Sequence, residues 1–295
     1  MGNPASIRIV RQRMRDFDIV EHLAGKVKDS TYFHFPWGNW YIPEFLSNSF
    51  ADGGLGITKY VILQMMVGAL LIAIFVPLAV RIRGGQPAKG RFWNMFEVIL
   101  VYLKTSVIEP AIGSKKDAAP YVPYLWTLFF FILFCNLLGM VPWMGTATGA
   151  ITVTATLAAL TLLIVTLTGM FRHGPVGFWI GMVPHIEGKV GPINLALVLS
   201  PFLFVLEIFS FFLKHCTLCI RLMATMFGGH LMLGVFFGFI PMAAGAAVYV
   251  FLPVAFLALF GALAVSFLEL LIACLQAYVF TFLTAIYIGM AINHH

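Results

Sequence analysis

Residues 196–239 read ALVLSPFLFVLEIFSFFLKHCTLCIRLMATMFGGHLMLGVFFGF. Within this apolar run Glu207, Ser210, Lys214, Thr217, Arg221 and Thr225 recur at helical spacing. At 100° per residue the six fall within about 80° of one another, so the stretch is a hydrophobic helix carrying one polar stripe. An arginine well inside such a span does not easily snorkel to the surface. Burying it costs from ~3 kcal/mol to more than ~10 kcal/mol, so Arg221 needs a functional reason.

The rest of the chain supplies the membrane setting. It has 295 residues, 61% hydrophobic and only 10% charged, with a mean hydropathy of +0.95. Soluble domains carry about 25% charged residues, so this composition is that of a polytopic membrane protein without a large soluble domain. The net charge is +6, but the basic residues are scattered over loops and the N-terminal arm. No basic patch interleaved with aromatics appears, which excludes nucleic acid as a partner. Four cysteines, Cys135, Cys216, Cys219 and Cys274, all lie in apolar runs. Cys216 and Cys219 form a C-x-x-C without a second ligand pair, and they read as membrane-buried thiols. Residues 1–58 mix charges with no apolar core of signal-peptide length, so no signal peptide is expected.

Read in order, residues 1–58 are a hydrophilic N-terminal arm ending in an aromatic, turn-rich piece, Tyr32 to Tyr41. Trp37, Trp40 and Tyr41 are of the kind that settle at a membrane interface. Residues 59–292 are a single membrane domain. Spans are expected at about 60–80, 123–142, 151–171, 192–238 and 253–292, with a turn at Gly84 to Pro87. Between the first two spans, residues 92–109 place Trp93, Phe96, Ile99, Leu100, Leu103 and Val107 on one face. Asn94, Glu97, Lys104 and Thr105 lie towards the other, which suits a helix lying along the interface. Spans 123–142 and 151–171 form a transmembrane hairpin, followed by a loop over 172–191. The last two, as straight helices, would be ~70 Å and ~58 Å long. The hydrocarbon core is ~30 Å thick, so they must be broken, tilted or bent, with Pro201 and Gly228-Gly229 as places to bend. The fold class is thus all-α: an arm, one transmembrane helix, an interfacial amphipathic helix, a transmembrane hairpin, and a hairpin of two long, strongly tilted helices.

Lysine and arginine set the orientation. Arg81, Arg83, Lys89, Arg91, Lys104, Lys115 and Lys116 follow the first span, whereas only Lys59 lies close before it. Residues 81–120 are therefore expected in the cytoplasm, the N-terminus outside and the C-terminus inside.

Ionisable groups within membrane spans are functional candidates. Glu207, Arg221 and His230 lie on the first long helix and Glu269 on the second. Glu269, Gln276 and Tyr287 share a face of the second, flanked by Ser266 and Thr284. Thr217, Thr225, Ser266 and Thr284 are expected to bond back to their own helices. Arg221 does not deprotonate and serves as a fixed positive charge. His230 and Glu269 can exchange protons, histidine near neutral pH. A fixed cation beside a separate His/carboxylate pair is equipment for a proton path with an electrostatic barrier.

The run Arg221 to His230, R-L-M-A-T-M-F-G-G-H, resembles the R-L-x-x-N-M-x-(A/G)-G-H signature of subunit a of F-type ATP synthase. Glu269 with Gln276-Ala277-Tyr278-Val279-Phe280-Thr281 resembles that family's last helix, E-x6-Q-A-Y-(I/V)-F-T. Asn136-Leu137-Leu138-Gly139-Met140-Val141-Pro142 resembles its N-L-L-G-x-x-P. Together they cover most of residues 58–292. The resemblance implies the stationary half of a rotary motor in the bacterial inner membrane. Its partners would be a ring of c subunits, the peripheral-stalk b subunits, the rest of the F1F0 complex, and membrane lipids. Arg221 would face each passing ring carboxylate. His230 and Glu269 match a titratable pair that the family places in this or the exchanged order, in the half-channel open to the outside, with Gln276 close to the arginine. Glu207, Ser210 and Thr217 would line the other half-channel, and Lys214, Asn136 and Tyr287 are further candidate lining groups. No cofactor or metal is implied, and the chain would not be an enzyme by itself. Thr225 departs from the family's asparagine, and Lys214-His215 replaces a common Arg-Pro pair.

Two other classes remain open. An ion channel or secondary transporter would use the same buried charges, though the internal repeats common in transporters are not visible. An intramembrane enzyme would need a motif such as H-E-x-x-H or a nucleophile elbow, and neither occurs.

Overall fold

The computed structural model of the chain describes residues 32–35, 38–43, 58–82, 90–141, 145–181, 195–243 and 248–293. Most of the N-terminal arm, Trp37 included, lies outside the described residues, as do His185, Glu187, Lys189 and the expected start of the fourth span at 192. Within the arm, β1 (Tyr32–Phe35) and β2 (Gly38–Tyr41) pair antiparallel, Tyr32 opposite Tyr41 and Phe35 opposite Gly38. The aromatic piece of the arm is thus a small hairpin. Tyr, Phe and Trp favour extended backbone.

All remaining described elements are helices, as expected of a polytopic membrane protein. They are α1 (Lys59–Ile82), α2 (Arg91–Tyr102), a π-helical segment (Leu103–Ile108), α3 (Glu109–Ile112), α4 (Lys115–Ala118) and α5 (Val122–Met140). A 3-10 turn (Ala147–Gly149), α6 (Ile151–His173), α7 (Pro175–Gly181), α8 (Leu195–Ala243) and α9 (Val248–Ile292) follow. Five of them, in α1, α5, α6, α8 and α9, are long and apolar enough to cross a membrane.

The two last helices differ most from expectation. α8 has 49 residues and α9 has 45, and α8 passes through Gly228-Gly229 without a break. Much of the connection expected over 238–253 is helical, since α8 runs to Ala243 and α9 begins at Val248. Phe239, Ile240, Pro241 and Met242 extend α8, and Pro253 lies inside α9, near its start. Pro253 is the sixth residue of α9, just past the four whose N–H groups lack helical partners, so it removes a helical hydrogen bond near the helix start. Between α6 and α8, the helical turn α7 replaces part of the expected loop.

The chain divides into two compact units. The first comprises residues 1–69, 132–153 and 222–276. Its core holds Leu222, Met226, Asn136 and Ala273, each fully buried. Thr146 and Thr148, in the bend between α5 and α6, are fully buried as well.

The second unit comprises residues 70–131, 154–221 and 277–295. Phe75 of α1, Phe96 of α2 and Phe130 of α5 form an aromatic cluster with ring centroids 4.7 to 5.8 Å apart. Of the apolar face expected on residues 92–109, Phe96, Leu103 and Val107 are buried. Gly113, at φ +89°, ends α3 in the left-handed region, where glycine carries no Cβ penalty. On α6, Thr154, Thr161 and Thr168 recur every seven residues on the buried side, and these small side chains let helices approach closely. The end of α9 is clasped: the His173 ring Nε2 lies 3.1 Å from the Ile292 carbonyl and Asn293 donates to the Ile112 carbonyl at 2.9 Å. Arg172 and Asp117 form an ion pair at 2.9 Å. Outward faces stay apolar, with Phe171 86% and Ile72 65% exposed, as in a chain solvated by lipid or covered by partners.

Candidate functional site

In the first unit His230 of α8 and Glu269 of α9 meet. The His230 Nε2 lies 3.5 Å from Glu269 Oε1, and both side chains are buried. Their approach depends on Gly229. A Cβ built there would stand 2.8 Å from Glu269 Oε1, so any side chain at 229 would push the carboxylate away. Gly228 faces open space.

The line begun by Glu269 continues along α9. Ala273, one turn on, offers its carbonyl to Asn136 Nδ2 at 3.3 Å, and Gln276 follows after three more residues. Asn136 and Gln276 are buried, and Asn136 Oδ1 and Gln276 Nε2 have no hydrogen-bond partner among the described residues. Buried amides left in this state are sites for ordered water. Two hydroxyls that the sequence did not single out, Thr146 and Thr148, are buried and likewise unpartnered among the described residues. Their only sequence signal was polarity in an uncharged turn.

In the second unit the stripe on α8 runs from a cavity to the open surface. Glu207 and Lys214, two turns apart, approach to 3.9 Å with both side chains about one-third exposed. They border a cavity of about 410 Å³ together with Phe211, Tyr287, Met290 and Asn293. Ser210, half-buried, lies between them on the stripe, whereas Thr217 and Arg221 are exposed. Arg221 therefore presents its guanidinium on the outer face of a membrane helix, where lipid alone would be a poor neighbour.

The hydroxyls behave as expected of helical threonines. Thr217 donates to Lys214 O at 2.9 Å, Thr225 to Leu222 O at 3.1 Å and Thr284 to Phe280 O at 2.8 Å. His215, noted in the sequence only as a departure, is buried. Its Nδ1 lies 3.0 Å from Phe211 O and its ring 5.1 Å from that of Tyr287.

Cys216 and Cys219 are free thiols, and Cys219 Sγ lies 3.4 Å from Thr154 Oγ1. Among the described residues no group of three or more His, Cys, Asp or Glu side chains gathers in a way that could hold a metal ion.

The family described as ATP synthase A chain matches residues 61–289. Proteins named ATP synthase subunit a are similar over most of the chain. That of Chloroherpeton thalassium is 33% identical over 285 residues, covering 94% of this chain and 77% of its own length. That of Myxococcus xanthus is 36% identical over 244 residues, covering 82% of this chain and 75% of its own. That of Hyphomonas neptunium is 36% identical over 229 residues, covering 78% of this chain and 85% of its own. The matched segment begins in α1 and ends in the last turn of α9, so it takes in the exposed arginine, the buried His–Glu pair and every candidate span. This chain belongs to the ATP synthase A chain family.

Proposed function

We propose that this chain is the stationary proton-conducting subunit of an F-type ATP synthase, and that Arg221 is the fixed charge against which a ring of c subunits turns. The exposure of Arg221 on α8 carries this reading. A guanidinium keeps its charge in any protein environment, so it can attract an anion that is brought to it. A membrane carboxylate on each passing ring subunit is such an anion. As the carboxylate reaches Arg221 the guanidinium favours its ionised form and the proton leaves. The same charge repels protons and holds the entry and exit paths apart.

The entry path uses His230 and Glu269, with Gln276 continuing the line along α9, Asn136 of α5 beside it and Thr225 nearby in sequence on α8. The two buried titratable groups, 3.5 Å apart, stand close enough for the charge of one to govern the protonation of the other. The exit path uses the cavity at Glu207, Lys214 and Tyr287, with Ser210 and Thr217 along the stripe. Lysine and arginine distribution supports a bacterial inner-membrane orientation with residues 81–120 and the C-terminus in the cytoplasm and the N-terminus outside. The start of α8 and the end of α9 then both lie at the cytoplasmic side, and the exit cavity opens there. The peripheral-stalk b subunits and the rest of the F1F0 complex hold the chain still while the ring turns.

The test is Arg221→Ala in the assembled complex. ATP synthesis driven by a proton gradient across inverted vesicles is expected to vanish, while the complex still assembles. Gradient-driven synthesis retained in that variant would overturn the reading.

A further inference from the structure

A groove of about 730 Å³ lies in the second unit between α1, α2 and α5, away from the charged stripe. That volume falls within the ~300–1,000 Å³ typical of pockets that hold one small ligand. Its trough is apolar, walled by Phe75, Leu78, Leu100, Trp126 and Phe130. On α1 it reaches from Leu71 to Ile82, ~17 Å of helix. It starts where α1 ends, beside Arg81, whose guanidinium lies 4.3 Å from the centre of the Trp93 ring. Phe96 of α2 packs on Phe75, and the Leu100 carbonyl accepts from the Trp126 indole one turn into α5. α2 therefore crosses the last turns of α1 and the first turns of α5, at one membrane face. The trough has the length and polarity of an acyl chain entering from headgroup level.

Two opposite charges mark the groove's edge. Glu97 and Lys104 both border it, seven residues and thus about two helical turns apart. Lys104 stands in the π-helical segment Leu103–Ile108, a widened turn of the kind that recurs at functional sites. An acid and a base above an apolar trough match a headgroup that carries both a phosphate and a primary ammonium. A transmembrane helix from another subunit would instead lay an apolar flank against both charges.

We propose that this groove holds one phospholipid of the phosphatidylethanolamine class, with an acyl chain in the trough, its phosphate at Lys104 and its ammonium at Glu97. The test reconstitutes the whole complex into vesicles containing phosphatidylethanolamine or phosphatidylcholine with the same photoreactive acyl chain. Phosphatidylethanolamine is expected to label the peptides holding Leu71–Ile82 and Trp126 in preference to phosphatidylcholine. Lys104→Ala should reduce that labelling roughly tenfold, the scale of one charge-assisted hydrogen bond. Ala79→Trp, which fills the trough, should remove it. Labelling at Phe256, on the open face of α9, should not distinguish the two lipids. Equal labelling of the groove by both would overturn the proposal. So would a cross-link from a photoreactive side chain at Ile72 to another protein subunit.

Discussion

His230 Nε2 and Glu269 Oε1 lie 3.5 Å apart in a pocket that leaves the two side chains only 9% and 2% exposed. Removing one member of a buried pair strands the other, at a cost of about 3–5 kcal/mol when the survivor keeps its charge. Glu269→Gln keeps the shape and removes the titration. It should leave the complex assembled and lower ATP-driven proton pumping roughly 100-fold, the scale of a lost acid–base group. The exchanged pair, His230→Glu with Glu269→His, restores one acid and one base and should recover a large part of the pumping. Quenching of a pH-sensitive dye in inverted vesicles reads both.

The two adjacent glycines of α8 separate packing from helix flexibility. Alanine is a better helix former than glycine by about 1 kcal/mol, so on propensity alone either substitution would stabilise α8. A Cβ at 228 meets nothing within 4 Å, whereas one at 229 meets three atoms of Glu269 at 2.8 to 3.1 Å. Gly228→Ala should therefore pump at the wild-type rate. Gly229→Ala should assemble yet pump poorly, because the carboxylate must swing away from His230. Equal pumping by the two variants would show that the close approach of Gly229 to Glu269 has no functional weight.

Glu207 and Lys214 form a different sort of pair. Both are about one-third exposed and 3.9 Å apart, a geometry worth about 0–1 kcal/mol to folding. Lys214→Ala should thus accumulate in the membrane at the wild-type level. Glu207→Gln should also accumulate normally, but slow ATP synthesis roughly tenfold if a carboxylate is needed to take protons off the exit path. Normal synthesis by Glu207→Gln would remove this residue from the proton route.

Much of this was legible in the residues. Apolar runs bounded by Arg81, Pro142 and Arg172 match the helices α1, α5 and α6 within a few positions, because length and hydropathy mark a run long enough to cross a membrane. The stripe on α8 was legible because 100° periodicity survives in a long helix. Which side of α8 the stripe occupies was not, since exposure of Arg221 depends on where Leu218 and Leu222 find partners. His215 was opaque for the same reason: burial by Phe211 and Tyr287 belongs to packing. The junction between α8 and α9 was misplaced because Pro253 looked like a helix start and proved to lie inside one. His230 and Glu269 could be named from chemistry, but their contact needed the close approach that Gly229 allows.

The clasp at the end of α9 yields an ordering of variants. Gly289 packs so closely on α3 that an added Cβ would collide with the Ala111 carbonyl oxygen and stand 3.0 Å from the Ile112 Cα. Both are backbone atoms of a helix whose last turn is closed by Gly113, so neither can yield cheaply. Forcing a methyl group into such a contact costs about 1–3 kcal/mol. Asn293→Ala removes only the hydrogen bond to the Ile112 carbonyl, worth about 1 kcal/mol. His173→Ala removes the contact with the Ile292 carbonyl, made by an exposed residue. Thermal unfolding of the purified complex should accordingly lose most in Gly289→Ala and less in Asn293→Ala and His173→Ala. Because Gly289 and Asn293 at the end of α9 and His173 at the end of α6 are all distant in sequence from the His230–Glu269 pair, pumping per assembled complex should change less than stability does. A Gly289→Ala complex as heat-resistant as the wild type would mean that α3 can move away from α9, and that the clasp does not hold the helix end.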